Sequence, residues 1–166
     1  LTVDRYAQTL VISDHERAGT SRRELHQAIA QFYIKTLPVV QSVLLKQRHA
    51  QDAKLRQGEL TFGEQVSTSI EENSVNYALD LRLNQDTSFY PDTRNLRLWL
   101  SQQMKDARVL NCFAYTGALG IAALAGGARE VIQTDLNPHF LAVAERSQAL
   151  NHFNGTTQTI SQDFYP

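Results

Sequence analysis

The sequence is poor in cysteine, methionine and tryptophan, with one of each in 166 residues. A single cysteine excludes an intramolecular disulfide framework, so a reducing, cytoplasmic setting is the expectation. No apolar run approaches the ~18 residues of a membrane span, and no signal peptide is visible. Neither charge sign dominates: 16 Lys and Arg face 17 Asp and Glu, for a net charge of -1. That excludes the global basic footprint of a nucleic-acid binder but leaves room for a local patch. No internal repeat or low-complexity segment is present. The length suits about one domain, or two small ones, with enough chain to bury a real core. The chain starts at Leu1 without a methionine and stops at Pro166 just after an expected strand. Both ends are therefore read as cuts in a longer protein.

Two patterns are present. "LTVDRY" and "TLVISD" read as short strands around Ala7-Gln8, and "TSRRELHQAIAQFYIKTL" reads as a helix. Ser21 with Glu24 forms a capping box, and Leu25, Ile29, Phe32 and Tyr33 recur at helical spacing. Pro38 stops that helix. "QSVLLKQ" is a further strand, and the polar, Gly-punctuated residues 48–64 read as a loop. "QVSTSIEENSVNYALDLRL" reads as a hairpin turning at Glu72-Asn73. Residues 1–83 thus make a small α+β module.

After Leu83 strands and helices alternate. "TRNLRLWLSQQMK" is a helix with Leu96, Leu98, Trp99 and Leu100 on or near its apolar face. "ARVLNCF", "EVIQTD" and "TQTISQD" are strands, separated by the helices "GALGIAALAGG" and "PHFLAVAERSQALNHF". This alternation implies βαβ units and a parallel sheet over 84–166, an α/β Rossmann-like fold.

The stretch "VLNCFAYTGALGIAALAGGA", 109–128, runs from a strand through a tight turn into a small-residue helix. In a doubly wound sheet the ligand sits beyond the carboxyl ends of the strands. Gly117 allows close backbone approach. No Lys or Arg lines the loop and no G-x-x-x-x-G-K-[ST] or G-x-G-x-x-G occurs, which argues against a triphosphate or dinucleotide grip. Taken alone, the loop reads equally as a bare turn. Asp135 ends the next strand, 18 residues after Gly117, where a carboxylate accepts hydrogen bonds from ribose hydroxyls. Asn137-Pro138 supplies the following helix cap, so Asp135 is expected to be free of structural duty. Asp163 and Phe164 follow the third strand, suited to an adenine amino group and ring. A turn and two acids without a phosphate grip point to a nucleoside ligand, S-adenosylmethionine rather than NAD. Thr87, Ser88, Asp92 and Arg94 in the polar stretch 84–97 suit its methionine end, Arg94 for the carboxylate and Asp92 for the amine. A plain linker is the alternative there.

These residues resemble a family. "SVNYALDLRLNQDTSFYPDTRNLR" with "VLNCFAYTGALGIAALAGGA", "VIQTDLN", "ALNHFNG" and "QDF" is similar to class I S-adenosylmethionine-dependent ribosomal RNA large-subunit methyltransferases, the PUA-containing cytosine-5 type and close relatives. The resemblance covers nearly the whole chain. It implies cofactor contacts from Thr87, Phe89 or Tyr90, Asp92, Arg94, Asn111, Phe113, Ala114, Tyr115, Gly117, Asp135, Leu136, Asp163 and Phe164. Asn111 matches the family's own usage. Asp86 and Ser88 depart from its Lys and Gly, and a Lys-to-Asp change removes a possible phosphate contact. The family's base-positioning Asp-Pro-Pro motif and nucleophilic Cys are not found in these residues, and Cys112 inside a strand reads as a small packing residue. The resemblance therefore implies the middle of a larger enzyme, without its PUA domain or the second half of its catalytic domain. RNA is the implied partner, no membrane is, and an exposed sheet edge makes self-association an expectation. The rival readings are half of an NAD-dependent oxidoreductase and a non-catalytic RNA-binding module.

Overall fold

The short apolar and β-branched runs "TVDRY" and "TLVISD" form an antiparallel pair, β1 (Thr2–Tyr6) and the almost wholly buried β2 (Thr9–Asp14), closed by a turn with Ala7 left-handed at φ 50°. The computed structural model describes residues 1–16 and 22–163. Helix α1 (Arg23–Thr36) carries the chain to β3 (Ser42–Gln47), which runs parallel to β2. A short helix α2 (Ala53–Gln57) precedes β4 (Glu59–Phe62), which pairs antiparallel to β3 with an irregularity between Val43 and Leu44. The sheet order is β1-β2-β3-β4.

Two expectations change here. Residues 48–64 are not all loop: Asp52 caps α2 by accepting from the Lys54 N–H at 2.8 Å, and β4 follows Gly58. Both elements are short and polar, so no apolar period announces them. On α1 the residues that pack on Leu10, Ile12, Val43 and Leu45 are Ile29, Ala30, Tyr33 and Ile34. Leu25 and Phe32 are exposed instead. Ser21 of the expected capping box lies outside the described residues, and the N-cap Arg22 makes no side-chain cap bond.

Residues 80–87 complete this first unit with 1–68. Fully buried Lys46 donates from Nζ to the Asn84 carbonyl at 2.7 Å and the Asp86 carbonyl at 2.9 Å. Arg48 pairs with the Asp86 carboxylate, and the Tyr6 hydroxyl bonds Thr87 Oγ1 at 2.8 Å.

The second unit comprises 69–79 and 88–166, an interleaved division rather than a single cut after Leu83. β5 (Ser69–Glu72) and β6 (Val75–Ala78) form the hairpin, and its turn is Asn73-Ser74, both left-handed. The Ala78 N–H donates to Ser147 Oγ, tying the hairpin to the last helix. After a 3-10 turn (Pro91–Thr93) come α3 (Arg94–Gln103), β7 (Arg108–Cys112), α4 (Ala118–Ala125), β8 (Glu130–Asp135), α5 (Pro138–Ala149) and β9 (Thr156–Ser161). β7, β8 and β9 pair in parallel in that order, the expected βαβ units.

Helix α3 departs from its expected face. Leu96, Leu98 and Trp99 are exposed, and the residue it buries is Arg97, 1% exposed. Arg97 donates from Nε and Nη2 to the two Glu72 oxygens at 2.6 and 3.0 Å. Its guanidinium lies 4.0 Å from the centre of the Phe89 ring. The helix is thus anchored through a charge-paired fork, which suits the planar guanidinium.

Candidate functional site

The loop between β7 and α4 is unusual in its backbone. Phe113 (φ 55°), Tyr115 (φ 52°) and Gly117 (φ 75°) are all left-handed. Non-glycine residues rarely adopt this conformation, and such outliers concentrate where the surroundings hold them for a purpose. The hold is visible. The Ala114 N–H donates to the Thr134 carbonyl at 2.8 Å, and the Gly117 N–H donates to the Ala114 carbonyl at 2.8 Å. A Cβ at Gly117 would fall on Ala144 Cβ and on the amide of Gln133. Gly117 therefore serves both conformation and close packing. Gln133, itself buried, accepts from Asn111 Nδ2 at 3.2 Å, which fixes Asn111 at the end of β7.

Asp135, at the tip of β8, is the second part. Its Oδ2 accepts from the Tyr115 N–H at 2.8 Å and its Oδ1 from the Asn137 N–H at 3.0 Å. This corrects the expectation of a structurally idle acid. Asn137 does cap α5, accepting from the His139 N–H at 3.0 Å, but Asp135 also ties the left-handed loop to the start of that helix. A carboxylate has about four acceptor positions, so two remain for other donors. Leu136 and Phe113 beside it are 69% and 70% exposed, an unusual pair of open apolar side chains at adjoining strand tips. Tyr115 packs edge-on to Phe140 and stacks on Tyr90, at centroid distances of 4.6 and 5.1 Å.

Residues 12–162 match the S-adenosylmethionine-dependent methyltransferase family. The chain belongs to that family. It is 36% identical over 169 residues to ribosomal RNA large subunit methyltransferase I of Aeromonas salmonicida, covering 99% of this chain and 42% of that protein. The enzyme of the same name from Tolumonas auensis is 34% identical, over 94% of this chain and 40% of its own length. The chain thus spans about two-fifths of the curated relatives it matches. Among solved structures, SMU.776 complexed with SAH superposes with a TM-score of 0.82 at 22% identity, covering 98% of this chain and 42% of that one. The complex of aTrm5 with tRNALeu gives 0.72 at 18%, covering 98% and 47%. At such identities these two establish the Rossmann-like methyltransferase fold.

The residues present fit an adenosine-bearing group of this methyltransferase family. The acid keeps spare acceptors, a glycine clears the approach, and open apolar side chains flank them. Of the remaining expected site residues, Ala114 is buried in the loop, and Asp163 follows β9 in an exposed position. Asp92 is exposed in the 3-10 turn, and Arg94, 70% exposed, comes to 3.8 Å from Glu72 Oε1. Phe89 is a correction: it is 3% exposed, packed against Tyr77 and under Arg97, a position in the core. Thr87 belongs to the first unit, and Phe164 lies outside the described residues. Ser88 is buried, and its carbonyl accepts from the Thr116 hydroxyl. Gln133, Phe140 and Arg97 were not foreseen. The first sits in the middle of a strand, and no spacing distinguishes the others from ordinary helix residues.

Proposed function

We propose that the second unit binds S-adenosylmethionine and that the full-length enzyme methylates a base of ribosomal RNA in the cytoplasm. The observation that carries this reading is Asp135, bonded to the N–H of the left-handed loop after β7. Acid and loop are thereby one rigid piece at the carboxyl ends of parallel strands, where ligands of open α/β sheets bind. In this reading Asp135 accepts from the ribose hydroxyls while keeping its bond to Tyr115. Leu136 and Phe113 flank the adenosine, and Asp163 and Phe164 meet the adenine. Arg94 and Asp92 serve the methionine end. Asn111 acts through Gln133 by fixing the wall on which Gly117 rests. The bound cofactor supplies an electrophilic methyl group on a sulfonium. The relatives' names support ribosomal RNA as substrate. The finer reading, a cytosine-5 enzyme, rests on the sequence motifs alone. β7 is an edge strand with Leu110 63% exposed, which supports self-association of this chain.

Calorimetry of the chain with S-adenosylhomocysteine and with NADH is the test. Heat from the first and none from the second is expected. The opposite pattern favours an oxidoreductase half.

A further inference from the structure

The first unit holds a cleft of about 930 Å³ between α1 and the β3–β4 side of the sheet. Every residue lining it belongs to residues 1–68. The volume lies in the range of ligand pockets. Its floor is apolar, formed by Ile12, Leu45 and Leu60, with Ala30 and Ile34 from the helix.

The polar groups are arranged along its length. His26 Nε2 lies 2.8 Å from Asp14 Oδ2, and Arg22 Nη1 lies 3.8 Å from Asp14 Oδ1. Asp14 pairs with Gln47 in the sheet register, so one end of the cleft gathers Arg22, Arg23, His26 and Gln47. At the other end Phe62, 43% exposed, pairs with Val43. Val43 and Gln47 are four residue steps apart along β3, a span of roughly 13 Å at ordinary strand rise. Between the ends the helix offers the Gln27 and Gln31 amides and β4 offers the Thr61 hydroxyl.

The Asp14 carboxylate is already occupied, by His26, by the Glu16 N–H at 3.0 Å and by the nearby Arg22. Arg22 is likewise engaged, by Glu16 as well as by Asp14, and Glu59, opposite Leu45, also lines the cleft, so the cation left for an anion at this end is Arg23. Amides over an apolar floor suit base edges, which carry donors and acceptors side by side. An exposed aromatic suits base stacking, and arginines suit phosphates. Residues 1–68 also hold nine Lys and Arg against seven Asp and Glu, while 69–166 hold seven against ten. The positive share thus falls on the part of the chain that holds the cleft, whose own lining sets Arg22 and Arg23 against Asp14 and Glu59.

We infer that this cleft holds an unpaired stretch of the RNA substrate, with a phosphate at Arg23, base edges on Gln27 and Gln31, and a base against Phe62. The inference rests on RNA being the substrate, as proposed above.

The test uses the whole chain and a short, labelled single-stranded oligoribonucleotide carrying 4-thiouridine. Binding is followed by anisotropy across a salt series, and the photocrosslink is mapped by mass spectrometry. Arg23→Ala should weaken binding several-fold and lower the log–log salt slope by about one. Gln27→Ala with Gln31→Ala should weaken it about tenfold with the slope unchanged. The crosslink on the unaltered chain is expected at Phe62 or on α1. S-adenosylhomocysteine affinity, measured in parallel, should stay constant. Unaltered RNA affinity in both variants, a crosslink mapping elsewhere, or equal competition by duplex RNA would overturn the cleft assignment and leave the methyltransferase reading standing. No RNA affinity in the unaltered chain at low salt would remove the RNA reading and the cleft with it.

Discussion

Asp135 has one observed duty and one proposed, which sequence alone presents as alternatives. Its oxygens accept from the Tyr115 and Asn137 amides, and the proposed ribose contact uses the acceptor positions left over. Asp135→Ala removes both and leaves backbone donors unpaired, a loss of about 1–3 kcal/mol. Asp135→Asn keeps one acceptor and should lose less. Urea unfolding and S-adenosylhomocysteine calorimetry should therefore fall together, in the order Asp, Asn, Ala. A stability loss with undiminished affinity would return Asp135 to scaffolding. Arg94→Ala provides the contrast. Its side chain is 70% exposed, so stability should hold while affinity drops about tenfold, as for a lost charge-assisted bond. Lys46 allows a pH test. Burial pushes its ammonium down to about 8, against the opposing pull of Asp86 and Asp80. The unfolded chain then binds the extra proton between about pH 8 and 10.5, so this cost to folding fades as pH rises. From about pH 7.5 to 9.5 the unaltered protein should gain on the order of 2 kcal/mol relative to Lys46→Met. Parallel pH curves for the two would contradict it.

At the scale of elements, the strand–turn–helix of β7 and α4 and the acid at the tip of β8 were legible, because their signals are local. An apolar run, a glycine and an acid after the next apolar run sit within one βαβ unit. What was not legible is long-range. Nothing near Arg97 announces Glu72, 25 residues earlier, and "LRLWL" reads as an apolar face until the hairpin claims the arginine. α2 and β4 escaped for a different reason, being too short and polar to show a period. The Arg97 anchor is a prediction in itself. Removing one partner of a buried pair strands the other. Arg97→Ala should cost about 3 kcal/mol in urea unfolding, less whatever Arg94 recovers from Glu72. A loss under ~1 kcal/mol would show that α3 is held by its other contacts.

At the scale of the molecule, the two units have different characters. The first is a mixed four-stranded sheet with one long helix against it, and the second is a parallel sheet carrying the loop and the acid. Among the described residues no helix is long and apolar enough to cross a membrane, and no group of three potential metal ligands occurs. The exposed apolar side chains of the second unit, Trp99 and Leu110 among them, together with the β7 edge, should give a concentration-dependent rise in sedimentation coefficient. A single monomer boundary at all concentrations would contradict it. The central claim is that the β7–α4 loop and the tip of β8 form the S-adenosylmethionine site. Backbone amide shifts during titration with S-adenosylhomocysteine test it most directly. The largest changes are expected at Tyr115, Gly117, Asp135 and Leu136, and shifts confined to the first unit, or none at saturating ligand, would contradict it.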